Sequence, residues 1–134
     1  MISNKNRVVG YASFLIKNSK NISKIDRIPV HLKKRMINIS RKTLETYLKD
    51  KTIPNFDINS SYLKNKRGVF ITLKKNERLR GCIGSIYPKM KLYRGVINMT
   101  IAAATRDFRF NPVSLEELDD IKIEISVLSR PKKI

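Results

Sequence analysis

The chain has 134 residues, 41% of them apolar and 30% charged, with a formal net charge of +18. That length suits one domain, and a domain of this size buries roughly 68% of its unfolded surface, enough to hold a core without staples. One cysteine and one histidine exclude an intramolecular disulfide framework and argue against a closed protein-ligated metal centre.

Residues 1–29 are rich in Asn, Ser and Lys and show no sustained period. They read as a basic N-terminal extension with one short element around residues 8–16. That apolar stretch follows Lys5 and Arg7 but is short, contains polar residues and lacks a clear small-x-small cleavage site. No apolar run reaches bilayer-spanning length, so no membrane partner is expected. The expectation is a cytoplasmic protein with Cys82 reduced.

Met36, Ile37, Ser40, Leu44, Tyr47 and Leu48 recur at three- and four-residue steps. The spacing predicts an amphipathic helix over 31–49, opened by Pro29, with Lys33, Lys34, Arg41, Lys42 and Lys49 outside. Residues 52–66 read as a polar connection. Gly68-Val-Phe-Ile-Thr-Leu-Lys74 is β-branched and aromatic, hence a strand. Residues 75–78 form a hairpin turn, and Leu79 to Gly84 return as the second strand. Glycine within a strand marks a bulge or a close backbone approach, and Gly81 and Gly84 flank Cys82.

Residues 90–105 read as a second helix, largely buried, whose Ala102-Ala103-Ala104 lets another backbone come close. Asn111-Pro112 breaks the chain after it. Ser114 to Glu117 has capping-box spacing for a short helical turn. Ile121, Ile123, Ile125 and Val127 alternate with polar residues, which predicts a strand with one buried face.

The positive charge is uneven. Residues 1–51 carry a net +10, residues 52–91 a net +7 and residues 92–134 a net +1. A basic N-terminal half fits either a solvated face or a surface for nucleic acid or an acidic protein.

Two constellations carry chemistry. In Leu79-Arg80-Gly81-Cys82-Ile83-Gly84, Cys82 is a candidate nucleophile. A nearby cation favours the reactive thiolate, so Arg80 is the candidate for thiol activation or for binding an anion. Gly81, Ile83 and Gly84 would provide backbone access as binding residues. The alternative is a small apolar thiol packed against the Ala-rich helix, since no second cysteine or sequence-adjacent histidine supplies a base. The Gly-x-x-Gly spacing is only a weak match to a KH loop, which joins two helices. In the second constellation, Arg106 and Arg109 bracket Asp107, an arrangement suited to an anionic group. The alternative there is a helix C-terminus with favourable cations.

These segments, together with Glu116-Glu117-Leu118 and Ile123-Glu124-Ile125-Ser126-Val127-Leu128-Ser129, stand in the order seen in the AMMECR domain family. The resemblance covers residues 30–134. Prokaryotic members of that family are labelled protein A of the AmmeMemoRadiSam system. The resemblance implies an α+β fold with a mixed or antiparallel, barrel-like sheet and flanking helices, and a site at the Arg80-Gly-Cys-Ile-Gly84 motif. It implies Memo-type and radical SAM proteins as partners, and it brings no cofactor. The chain lacks Cys-x-x-x-Cys-x-x-Cys, so it would not itself be the radical enzyme. Phe108 and Asn111 stand where the family usually has proline, and the basic extension has no family counterpart. Family members continue well past the position matching Ile134, so the chain is expected to hold only the first part of the fold. An open edge or face at the strand 121–128 would then favour self-association, or a partner that completes the sheet.

Overall fold

The computed structural model describes residues 6–9, 14–16 and 28–128. Helix α1 spans Val30–Asp50 and buries Met36, Ile39, Leu44 and Leu48. It ends at Lys51, whose left-handed backbone (φ 59°) lets its N–H donate to the Tyr47 carbonyl. Lys33 departs from the expected pattern and is buried, because α1 is covered from two sides, by the second long helix and by the last strand. A single turn, α2 (Ser61–Lys64), interrupts the polar connection, and the Ser60 hydroxyl accepts the Leu63 N–H at 3.3 Å.

Strand β3 (Val69–Lys75) and strand β4 (Arg78–Ser85) form the expected hairpin. Asn76 and Glu77 at its tip both have positive φ, 52° and 66°, the turn geometry whose twist matches the flanking strands. Helix α3 (Leu92–Thr105) buries Leu92, Val96, Ile97, Ile101 and the alanine run. It is joined to α1 by a buried Ser40–Thr100 hydroxyl pair at 2.6 Å. A 3₁₀ turn (Leu115–Asp120) opens on the predicted capping box, with the Ser114 N–H donating to Glu117 Oε2 at 2.9 Å. Strand β5 (Ile121–Val127) follows, with Ile121, Ile123, Ile125 and Val127 buried.

Two short strands precede α1, β1 (Asn6–Val9) and β2 (Phe14–Ile16). The sheet order is β2-β1-β5-β3-β4, antiparallel at every pairing. The fold is α+β, with α1 and α3 packed on the sheet and its alternating apolar residues turned into one core.

The N-terminal segment therefore does more than extend the chain. Its β1 pairs along β5, with Asn6 opposite Val127 and Val9 opposite Glu124. The edge expected to be open at β5 is occupied, and β5 lies in the middle of the row. The outer members of the row are β2 and β4.

Candidate functional site

The site is built on β4, which among the described residues pairs on one side only, with β3. The hairpin register places Cys82 opposite Thr72 and Gly81 opposite Leu73, but Lys74 opposite Leu79. Arg80 is thus an extra residue, a bulge in β4. The bulge resets the alternation. Gly81 faces the core with Leu73, and Cys82 faces the other side of the sheet with Thr72.

Each glycine answers a close approach. A β-carbon on Gly81 would meet the Ala103 carbonyl oxygen, so this residue lets α3 lie against the strand. A β-carbon on Gly84 would meet the ring of Phe70, its register partner on β3. Ile83 is half-buried opposite Ile71 and packs against the core.

Cys82 is half-exposed. Its Sγ lies 3.1 Å from the Thr72 hydroxyl, either of which can donate. Its backbone N–H points away from β3 and donates to Asp107 Oδ2 at 3.0 Å. Asp107 is buried just beyond the end of α3. The Arg109 guanidinium donates to both oxygens of that carboxylate, Nε to Oδ1 at 3.0 Å and Nη2 to Oδ2 at 2.7 Å. The Arg109 N–H adds a third bond, to Oδ1 at 3.1 Å. One carboxylate oxygen therefore joins the Cys82 amide to the Arg109 side chain.

The electrostatics follow this geometry. The Arg109 guanidinium holds the Asp107 carboxyl well below the usual carboxylate range against an opposing effect of burial, and the Cys82 and Arg109 amides add to the lowering. Asp107 in turn raises Arg109 above its ordinary value, with a smaller contribution from Cys82. The Arg109 side chain stays 59% exposed, so the cation is accessible while Asp107 links it to the Cys82 backbone.

Arg80 is committed elsewhere. It grips Glu117 through Nε to Oε1 at 2.9 Å and Nη2 to Oε2 at 3.0 Å. It also donates to the Asn111 carbonyl at 2.8 Å and the Pro112 carbonyl at 3.3 Å. Lys75 joins the same carboxylate at 3.1 Å. Arg80, with Ser114 and Lys75, holds Glu117 well below the usual carboxylate range against burial. The cation expected to serve the thiol instead fastens the hairpin to the 3₁₀ turn. An open cleft of about 670 Å³ lies beside it, lined by Lys75, Asn76, Arg78, Leu79, Arg80 and Glu117, but not by Cys82. Arg106 is exposed and makes no side-chain bond among the described residues, and of the two bracketing arginines it is Arg109 that holds Asp107.

Two residues in the same cross-sheet row as Cys82 were not marked by the sequence. Thr72 is fixed opposite Cys82 only once the bulge is known. Glu124 is opposite Thr72 on the far side of β3, buried and paired with Lys74 at 2.9 Å. Its place in a strongly alternating strand marked it as an outward residue and gave no hint of burial. Among the described residues no three His, Cys, Asp or Glu side chains gather to hold a metal ion, and no helix is long and apolar enough to cross a membrane.

The AMMECR1 family pattern matches residues 37–134. A protein of Methanosarcina barkeri is 40% identical over 103 residues, which is 73% of this chain and 50% of that protein. A protein of Methanothermobacter thermautotrophicus is 42% identical over 100 residues, 74% of this chain and 52% of that protein. The crystal structure of protein PH0010 from Pyrococcus horikoshii superposes with a TM-score of 0.69 at 36% identity, covering 75% of this chain and 52% of that one. The chain spans about half the length of the relatives it matches. The matched residues include the Cys82 strand, the Asp107–Arg109 clamp and β5, and the chain belongs to the AMMECR1 family.

Proposed function

We propose that this AMMECR1-type domain works through a thiol-centred binding site, with Cys82 as the reacting or ligand-contacting group and Arg109 receiving an anionic part of the ligand. The observation that carries this reading is the shared Asp107 oxygen. It binds the amide of Cys82, 25 residues before Asp107 in sequence, and the Arg109 guanidinium together. A buried carboxylate that positions a cation while leaving its outer face open is an economical anion receptor. The Thr72 hydroxyl orients the sulfur. Asp107 is a positioning residue here, since both its oxygens are already occupied. No side chain other than Thr72 hydrogen-bonds Sγ among the described residues, so the chemistry asked of Cys82 is that of a nucleophile without a dedicated base.

Ligand protection tests the reading. Small dianions such as phosphate and dicarboxylates should slow N-ethylmaleimide modification of Cys82 in the wild-type chain. Arg109→Gln should lose that protection while remaining folded. A thiol that reacts only after denaturation, or protection that survives Arg109→Gln, would leave a packed cysteine and no receptor.

A further inference from the structure

Two segments meet where β3 begins and β4 ends. Lys66 and Lys91 form an antiparallel bridge, and the Leu92 N–H donates to the Asn65 carbonyl at 2.8 Å. The junction carries Lys64, Lys66, Arg67, Lys89, Lys91 and Arg94. Between Asp57 and Asp107 the sequence has a single acid, Glu77, and that residue sits at the opposite end of the hairpin. None of these cations has a carboxylate partner among the described residues. By contrast Lys74, Lys75, Arg80, Arg109 and Lys122 are each paired with one. The mutual repulsion at the junction is therefore unrelieved within the described structure.

Aromatic rings are interleaved with the charges. Arg67 lies 4.9 Å from the centroid of Tyr62, Lys89 5.8 Å from that of Tyr87, and Arg94 5.5 Å from that of Tyr93. Tyr87 is 68% exposed and Ile86 63%, so the loop offers flat apolar surface beside the cations. Phosphates neutralise such a patch, and unpaired bases stack on such rings. A duplex hides its base faces, and an acidic peptide supplies charge without planar groups.

We propose that the surface formed by residues 62–67 and 86–94 binds a single-stranded polynucleotide, with phosphates on the lysines and arginines and a base on Tyr87. This surface is separate in sequence from the basic segment 1–51 and from Cys82, and it stands independently of the thiol site.

Fluorescence anisotropy with a labelled oligouridylate dodecamer tests it, with an oligothymidylate of equal length distinguishing RNA from DNA. Affinity should fall with salt, log K being linear in log salt. Lys66→Glu with Lys91→Glu should weaken binding at least tenfold. It should also lower the slope by about 1.4, at about 0.7 per phosphate on a single strand. Tyr87→Ala should cost about tenfold, as loss of one stacked base does, with the slope unchanged. Lys34→Glu with Lys42→Glu makes the same charge change on the exposed side of α1 and should have a much smaller effect. Equal loss from the two charge swaps would overturn the assignment. So would polyglutamate, a duplex of the same length or phosphatidylserine vesicles binding as tightly as the single strand.

Discussion

Gly81 and Gly84 flank one cysteine for different physical reasons, and the difference is measurable. At Gly81 the obstacle is backbone, the Ala103 carbonyl of α3, which cannot move without displacing the helix. At Gly84 the obstacle is the Phe70 ring, a side chain that can rotate. Gly81→Ala should cost about 3 kcal/mol or more of stability in urea unfolding, at the upper end of overpacking. Gly84→Ala should cost about 1 kcal/mol, nearer the ordinary mutational effect. The sequence marked the two glycines as a bulge or a close approach, and marked Arg106 and Arg109 about Asp107 as a candidate anion-binding group. It could not show the partner of Arg80, because that depends on a bulge and on a turn 37 residues away. Acid stability follows from the carboxylates. Asp107 and Glu117 are both held below their unfolded values. Each therefore contributes stability that is complete above the unfolded carboxylate pKa of about 4 and is lost as pH falls below it. Glu117→Gln should flatten the loss of stability between pH 5 and pH 2, read from urea midpoints at each pH.

At the scale of elements, strong periodicity was legible and irregularity was not. The stripe of α1, the hairpin and the alternation of β5 stand where their spacing put them, within a residue or two. The capping box also formed, since Ser114 and Glu117 satisfy each other locally. Helix α2 was missed because a single turn shows no period, and Lys33 was misplaced because α1 is covered on two sides. The bulge at Arg80 breaks period-two alternation by one residue, so counting along β4 puts Arg80 and Cys82 on one face when they are not equivalent. The hairpin tip carries a removable strain. Glu77 holds φ at 66°, and its exposed pair with Lys122 at 3.3 Å gives little in return. Glu77→Gly should raise stability by about 0.5–1 kcal/mol in chemical denaturation. A loss instead would mean that the Lys122 pair outweighs the backbone cost.

On the scale of the whole molecule, the N-terminal strands alter what the sequence led one to expect. The apolar strand β5 was expected to present an open edge, and β1 lies along it instead. Weak hydrophobic patterning in a short, basic stretch hid this pairing, because strands of four and three residues carry almost no periodic signal. Deleting residues 1–17 should uncover β5 and cause concentration-dependent self-association in sedimentation velocity, which the intact chain should show to a much smaller degree. Around this sheet the two candidate segments converge, one on β4 and one at the end of α3, and Asp107 joins them. In the proposed site this junction couples an accessible cation to the Cys82 segment, and the thiol reacts under that charge. The most direct test of this coupling is the ratio of Cys82 alkylation rates by iodoacetate, an anion, and by iodoacetamide, its neutral counterpart. The ratio should be several-fold higher in the native chain than in the unfolded chain, and it should collapse to the unfolded value in Arg109→Gln and in Asp107→Asn. A ratio that matches the unfolded chain from the outset, or that persists without Arg109 while Arg80→Gln abolishes it, would contradict the account.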